Sequence, residues 1–423
     1  MASVSAHTPL REAMQALTNE YLDRCALRPT PEQMDGVKRG LRNPDGTGVL
    51  AGVTRVSQVV GTRQRPDGSI EAIPGRLLYR GIDIEELASH AGTRPLFEEA
   101  CWLLLLGRLP TGEELREFCE TISRRRTLAE GLDTGTSPDR MNRMARAVLA
   151  MHDRDDNADS LAPVNLLRQS FDLIAAMPGI MLPSPFLAET AGLSTAAAIL
   201  ALSQGKRPTK EEVDLLDLCL MLHADHSSNC STFACRVISS SGADSYAAIS
   251  GAIGALKGHK HGGANRSVAR QMQEILAAVD DPTDEAAMRD YLGRVLERRA
   301  GDGTGLIYGL GHAVYTISDP RAVLLKQMAA PLAAKKGFGR EFAALEAVEH
   351  LGPAVLAERR PGGKPVCANV DLYSGLIYRM LGFPDELITP LFAVARTPGW
   401  CANRMEEVLF SGRIIRPGYR FIG

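Results

Sequence analysis

Three segments far apart in the chain carry the side chains with the most chemistry to offer: His261 in HGGANRSV, His312 in GLGHAVYTISDPRA and Asp371 in NVDLYSGLIY. A carboxylate can take a proton from a carbon beside a carbonyl, and two imidazoles can hydrogen-bond the carbonyl oxygens on which charge collects. Together they suffice for making a carbon–carbon bond.

Each segment adds something to that reading and also has an ordinary structural one. Gly262 and Gly263 allow a sharp turn into a helix that Asn265 can cap, which sets His261 beside helix N-terminal amides. That field and the adjacent Lys260 both disfavour an imidazolium. On this segment alone a capping loop histidine is an equal reading, and His259 reads as a loop residue. Gly301, Gly303, Gly305, Gly309 and Gly311 lead up to His312. A dinucleotide fingerprint would need a strand before them, whereas the charged LERRA precedes, so glycines that let a flat ligand lie against the backbone are the better reading. Nine residues after His312 comes Arg321, in an Asp-Pro-Arg helix start, and the two could converge on an anionic ketone. Asp371 could instead be a helix cap, and Arg396 and Arg416 could be solvated or salt-bridged. As a group, the arginines match a dicarboxylate by bidentate pairing.

His223 and His226, three residues apart, would share one face of a helix. Cys230 and Cys235 could complete a metal set with them, but the spacing H-x2-H-x3-C-x4-C is uncommon for zinc, and four ligands along one helix are geometrically awkward. We expect no metal, read His223 as a core histidine and read His226 as a donor to an anionic substrate.

The elements that must position these groups are mostly helical. Apolar residues at three- and four-residue spacing predict helices over Pro9–Ala26, Glu85–His90, Pro95–Leu106, Gly112–Glu130, Glu211–Leu222, Ser267–Val279, Glu285–Arg298, Arg321–Ala334 and Phe342–Ala357, and the apolar run Tyr246–Leu256, bounded by Asp244 and Lys257, reads as a buried helix. Strand patterns are confined to Gly48–Arg63 and Ile70–Tyr79, the second broken by Pro74 and Gly75. Arg124–Arg126 reads as a solvated helix face, and the glycine-rich stretches Ala300–Gly305 and Arg359–Lys364 as mobile connections. The 423 residues, 45% hydrophobic and 23% charged, suit a globular protein of more than one domain. A net charge of −2 argues against nucleic-acid or membrane surfaces and leaves small molecules as the default partners. Eight cysteines without regular spacing read as reduced thiols. No apolar run reaches the roughly 18 residues of a membrane span, and the N-terminus lacks a signal or transit pattern, so a cytoplasmic location is expected.

With these motifs in view, the chain resembles the citrate synthase family. The resemblance runs in order through GVLAGVTRVSQV, LLYRGIDIEELA, FEEACWLLLLGRLPT, HADHSSNCST, HGGAN, GHAVY with DPRA, NVDLYSG, FAVARTPGW and RPGYRFIG. It implies an all-α, two-domain helical fold with a small β element near the N-terminus. Residues 1–262, completed by 383–423, would form a large domain, and 263–382 a small one closing over oxaloacetate and acetyl-CoA. It implies a homodimer or a higher oligomer, and acetyl-CoA as substrate with no cofactor. His261 would then bond the thioester oxygen, Asp371 take the methyl proton and His312 polarise the ketone. His226, Arg321 and Arg396 would hold the oxaloacetate carboxylates, with Arg416 reaching in from the partner subunit. Ile307, Tyr308, Gly309, Leu310 and Gly311 would line the adenine site, and Lys364 would approach the CoA phosphates. The chain departs from common family patterns at Ser227, at Gly258-His259-Lys260 and at Ala313, which bears on acyl-CoA choice and regulation. The near rival is a 2-methylcitrate synthase using propionyl-CoA, and the rival of another class is a non-catalytic metal-binding helical protein. A citrate-cleaving lyase module is a third, without a GxxxxGK loop to support it.

Overall fold

The computed structural model describes residues 8–25, 29–44, 47–359 and 361–422. They fall into two compact units, one of Met1–Val53 with Arg416–Gly423 and one of Thr54–Ile415. The first unit holds the helix Thr8–Cys25 and a four-residue helix Pro31–Met34, where Thr30 and Gln33 cap each other reciprocally. Arg420 donates to the carbonyls of Glu32 and Gln33. Residues 48–53, expected as the start of a strand, form none; Gly48 makes only an isolated bridge with Arg42.

The second unit is all-α apart from one small sheet, with fifteen α-helices among its described residues. The ten predicted helices are present with ends shifted by a few residues, Ala26 lying outside the described residues. Gly112–Glu130 ends its α-helix at Arg125 and finishes in a 3₁₀ turn. Six helices of this unit were not predicted, Arg140–His152, Pro163–Met181, Thr195–Gln204, Cys230–Ser240, Asp371–Met380 and Ile388–Glu406, and for two of them the reason is burial. Every residue of Ile388–Glu406 from Ile388 to Arg404 is buried, so this central helix has no polar face. Pro163–Met181 is buried almost throughout its C-terminal half and carries Pro178 inside. A fully buried leucine or phenylalanine contributes about 1.5–3 kcal/mol, so these two helices supply much of the core's stabilisation. A carboxylate fixes the start of another helix: buried Asp217 accepts the N–H groups of Leu96 and Phe97, capping Leu96–Leu106, whose N-cap residue, Pro95, supplies no side-chain cap.

The sheet is antiparallel, with β1 (Ser57–Gln64), β2 (Ile70–Tyr79) and β3 (Ile82–Asp83) in sequential order. Pro74 and Gly75 do not break β2. Val60 pairs with Arg76 and Thr62 with Ala72, so Ile73, Pro74 and Gly75 bulge opposite Gly61, where a proline's missing N–H costs no ladder bond. The bulge meets the segment Val314–Ser318: the Gly75 N–H donates to Ser318 O at 3.1 Å, and a Cβ on Gly61 would lie 2.7 Å from Val314 O. The Arg124–Arg126 expectation is corrected in two of its three residues. Arg126 is fully buried, donating to Thr190 and Leu193, and Arg125 pairs with Asp172. The stretch Ala300–Gly305 is held at Asp302, whose carboxylate accepts from Thr304, Tyr308 and Arg270. Arg360, in the other such stretch, lies outside the described residues.

Candidate active site

Four helix ends and one buried helix bring the predicted groups together. His223 closes the helix Lys210–His223, and the chain turns before the next helix, Cys230–Ser240. The two histidines therefore do not share a helical face. His223 is fully buried, with Nδ1 2.7 Å from Cys219 O, whereas His226 sits in the turn. The candidate metal set does not assemble either: Cys235 Sγ turns to Trp400 O, and the one group of three ligating side chains within reach of one another, among the described residues, is His152, Asp159 and Asp244. The turn bearing His226 is clamped from behind. Tyr79 Oη donates to Asp225 O and accepts from Asp225 N–H, and the buried Asp225 carboxylate accepts from Ser57, Ser227 N–H and Asn403.

His261 and His312 are held in opposite tautomers when neutral. A backbone N–H can only donate, so the ring nitrogen it meets must be the unprotonated one. Ser231 N–H meets Nε2 of His261 at 3.3 Å, leaving the proton on Nδ1. The N–H groups of Val314 and Tyr315 both meet Nδ1 of His312 at 3.1 Å, leaving the proton on Nε2. Burial and the charge of Arg396 push His261 down to about 4, and burial and Arg321 do the same for His312. His226 is held well below its ordinary value by burial, then by Arg321 and His312. Three neutral imidazoles at neutral pH follow, two of them stacked edge to face at 5.0 Å, His226 on His312.

The two arginines are buried in different circumstances. Arg321, at the start of the helix Pro320–Lys336, makes a two-pronged pair with Asp319 at 3.0 and 2.7 Å; burial opposes its charge, but Asp319 more than offsets this and its pKa is raised. Arg396 lies inside Ile388–Glu406, over the ring of Phe392 at 4.8 Å, with Nε bonded to His223 O. Burial pushes it down to about 10, and no carboxylate among the described residues forms an ion pair with it. A buried guanidinium without a paired anion is costly, and an anionic ligand would relieve that cost.

Asp371 is the first residue of the helix Asp371–Met380 rather than its cap. Its N–H donates to Asn369 Oδ1, and burial raises its carboxyl to about 6, with Arg321 and Arg396 pulling the other way and Asn265 hydrogen-bonded to it. Asn265 does not cap the helix Ala264–Ala278, whose N-cap is Gly263; it turns inward to Ser374 and Asp371. Asn369 also joins this helix to the glycine-rich segment: its N–H donates to Gly309 O and its side chain to Gly311 O, while Gly311 N–H donates to Cys367 O. Ile307 is buried, Tyr308 is fixed through its backbone to Gln271, Leu310 bridges to Ala368, and Gly309 and Gly311 adopt positive φ, at Gly309 with Leu372 too close for any Cβ. Lys364 is exposed on the strip that follows residue 360, and Arg416 is exposed in the other unit. Ser231, Asp225, Asp319, Phe392 and Tyr315 were not anticipated in their contacts with the site. Only Asp319, as the Asp of an Asp-Pro-Arg helix start, had a signal in the sequence.

Residues 43–418 match the family model for the citrate synthase C-terminal domain. The chain belongs to the citrate synthase family. It is 35% identical to the citrate synthase of Synechocystis over 388 residues, covering 89% of each chain, and 32% identical to a 2-methylcitrate synthase of Shewanella oneidensis over 362 residues, covering 82% of this chain and 88% of that one. Among solved structures it is similar to the citrate synthase of the archaeon Thermoplasma acidophilum in ternary complex with carboxymethyl coenzyme A and oxaloacetate, at a TM-score of 0.74 and 26% identity, covering 92% of this chain and 96% of that one. Members of the citrate synthase family are enzymes of acyltransferase-type condensation, and the all-α fold described above is theirs. No helix among the described residues is long and apolar enough to cross a membrane.

Proposed function

We propose that the protein condenses acetyl-CoA with oxaloacetate and hydrolyses the resulting citryl-CoA to citrate and CoA. The observation that carries this reading is that Asp371, His261 and His312, from three remote segments, are all buried within electrostatic reach of Arg321 or Arg396, the latter with no carboxylate ion-paired to it among the described residues. Asp371, ionised above about pH 6, takes a proton from the carbon next to the thioester. Nδ1–H of His261 bonds the thioester oxygen as the enolate forms, and Nε2–H of His312 bonds the ketone oxygen of oxaloacetate as the new bond closes. Neutral imidazoles suit both tasks, as at other electrophilic histidines. His226, Arg321 and Arg396 hold the carboxylates, residues 307–311 lie along the adenine and Lys364 approaches the CoA phosphates. In this reading 263–382 is a small domain that closes over the large one, and Arg416 enters from a partner subunit of a homodimer. Propionyl-CoA, giving 2-methylcitrate, is the second reading, because relatives of both activities match at nearly the same identity.

The test follows free thiol release with oxaloacetate and each acyl-CoA in turn. A kcat/KM for acetyl-CoA above that for propionyl-CoA supports the first reading, and the reverse order supports the second. No thiol release with either overturns both.

A further inference from the structure

Tyr315 has no place in the chemistry above, yet it touches one of its imidazoles twice. Its backbone N–H donates to Nδ1 of His312 at 3.1 Å, and its ring stacks on the His312 ring with centroids 4.5 Å apart and planes inclined by 22°. The same ring meets His226 edge to face at 5.8 Å. Tyr315 is fully buried, and its Oη donates to Arg76 O on β2 at 3.1 Å. From the other side, a Cβ on Gly75 would lie 2.5 Å from the Tyr315 ring and 2.2 Å from Ser318 O, so the bulge of β2 presses backbone directly against this residue. The ring is thus gripped between the sheet and the imidazole, with no space in which to turn.

We infer that Tyr315 is a positioning residue for His312, and that β2 anchors it through Arg76 and Gly75. The inference rests on the reading that His312 polarises the ketone. An aromatic ring at this distance fixes the plane of the imidazole and bars water from one face, while the backbone N–H selects its tautomer. A donor must be held to within a few tenths of an ångström to act on a transition state, and a loop imidazole lacks that precision unaided. The sheet would then have a catalytic purpose: it sets the angle of one hydrogen bond.

The experiment compares Tyr315→Phe, Tyr315→Leu and His312→Gln in the full-length enzyme. Phe keeps the ring and loses the tether to Arg76, and Leu loses both. The expected result is a three- to tenfold fall in kcat for Phe and about a hundredfold fall for Leu, with the oxaloacetate KM within about threefold of wild type. In ¹⁵N-histidine NMR, the His312 signal, identified by its loss in His312→Gln, should remain a single Nε2–H tautomer, because the two backbone N–H groups persist, but should shift and broaden in Tyr315→Leu as the imidazole loses its fixed plane. Folded Phe and Leu variants that turn over within twofold of wild type, or a Leu variant that loses kcat while the His312 signal keeps its wild-type shift and width, overturn the inference. If Leu does not fold, the Phe variant decides by the same criteria. Should His312→Gln itself keep wild-type kcat, the failure lies with the role given to His312.

Discussion

At the residue scale, the balance between burial and charge decides what each group can do. Asp371 lies close to two arginines, which should lower its pKa, but loss of water wins and raises it to about 6. The consequence for activity is that kcat should fall as pH drops below about 6, because the protonated carboxyl is no longer a base. For Asp371→Asn we expect kcat to fall by about 10² to 10⁴ with oxaloacetate affinity kept; retention of more than about a tenth of turnover would remove Asp371 from the role of base. Stability runs the other way. A folded pKa above the ordinary 3.8 means that stability present at low pH is lost as pH rises through about 6. The difference between 3.8 and about 6 corresponds to about 3 kcal/mol as an upper bound. The Tm of Asp371→Asn relative to wild type should therefore rise between pH 4 and pH 7, and a difference that stays flat with pH would contradict the burial. Arg396 gives a second test. Lysine keeps the charge but not the planar pair of donors, so Arg396→Lys should raise the oxaloacetate KM about tenfold or more, and the acyl-CoA KM by less. Equal rises in both would count against its assignment to oxaloacetate.

At the scale of elements, the site depends on close approaches between backbones. Gly399, within Ile388–Glu406, is the clearest case: a Cβ there would lie 2.2 Å from Ala224 O and 2.5 Å from the Asp225 carboxylate. Those atoms form the clamp behind His226. Gly399→Ala should therefore destabilise by about 1–3 kcal/mol or more by overpacking, and should also raise the oxaloacetate KM by displacing the turn. Thermal unfolding and steady-state kinetics read the two effects separately, and a variant with wild-type Tm and KM would show that the turn yields without cost. Ser227, which follows His226, has φ of +51°, a conformation unfavourable for a residue with a Cβ, yet its N–H is fixed by Asp225 and Ser57. The backbone is held in that shape by the same clamp.

At the scale of the whole molecule, the proposed dimer makes a prediction about shared sites. If Arg416 completes the oxaloacetate site of its partner, then Arg416→Ala and Asp371→Asn subunits, each inactive alone, should regain a fraction of wild-type activity when mixed under exchange. A mixed dimer puts both lesions in one site and leaves the other whole. No recovery despite proven exchange, shown by mass spectrometry of differently tagged subunits, would sink the shared-site arrangement.

The candidate site residues could be picked out in the sequence because turn-forming or unusual neighbours mark them: a histidine followed by two glycines, another preceded by Gly311, an Asp-Pro-Arg helix start, an arginine inside an apolar run. Helices with one polar face, such as Gly112–Arg125, announced themselves through their period. What the tertiary structure alone decided is everything that depends on loss of water or on a neighbour distant in the chain. Ile388–Glu406 shows no stripe because the fold surrounds it, and Pro74 with Gly75 bulges instead of breaking β2 because Val314–Ser318 packs against the bulge. Asn265 was read as a cap by local spacing, but Ser374 and Asp371, over a hundred residues on, claim its side chain. The tautomers of His261 and His312 depend on which backbone N–H the fold brings to each ring, and no local pattern encodes that.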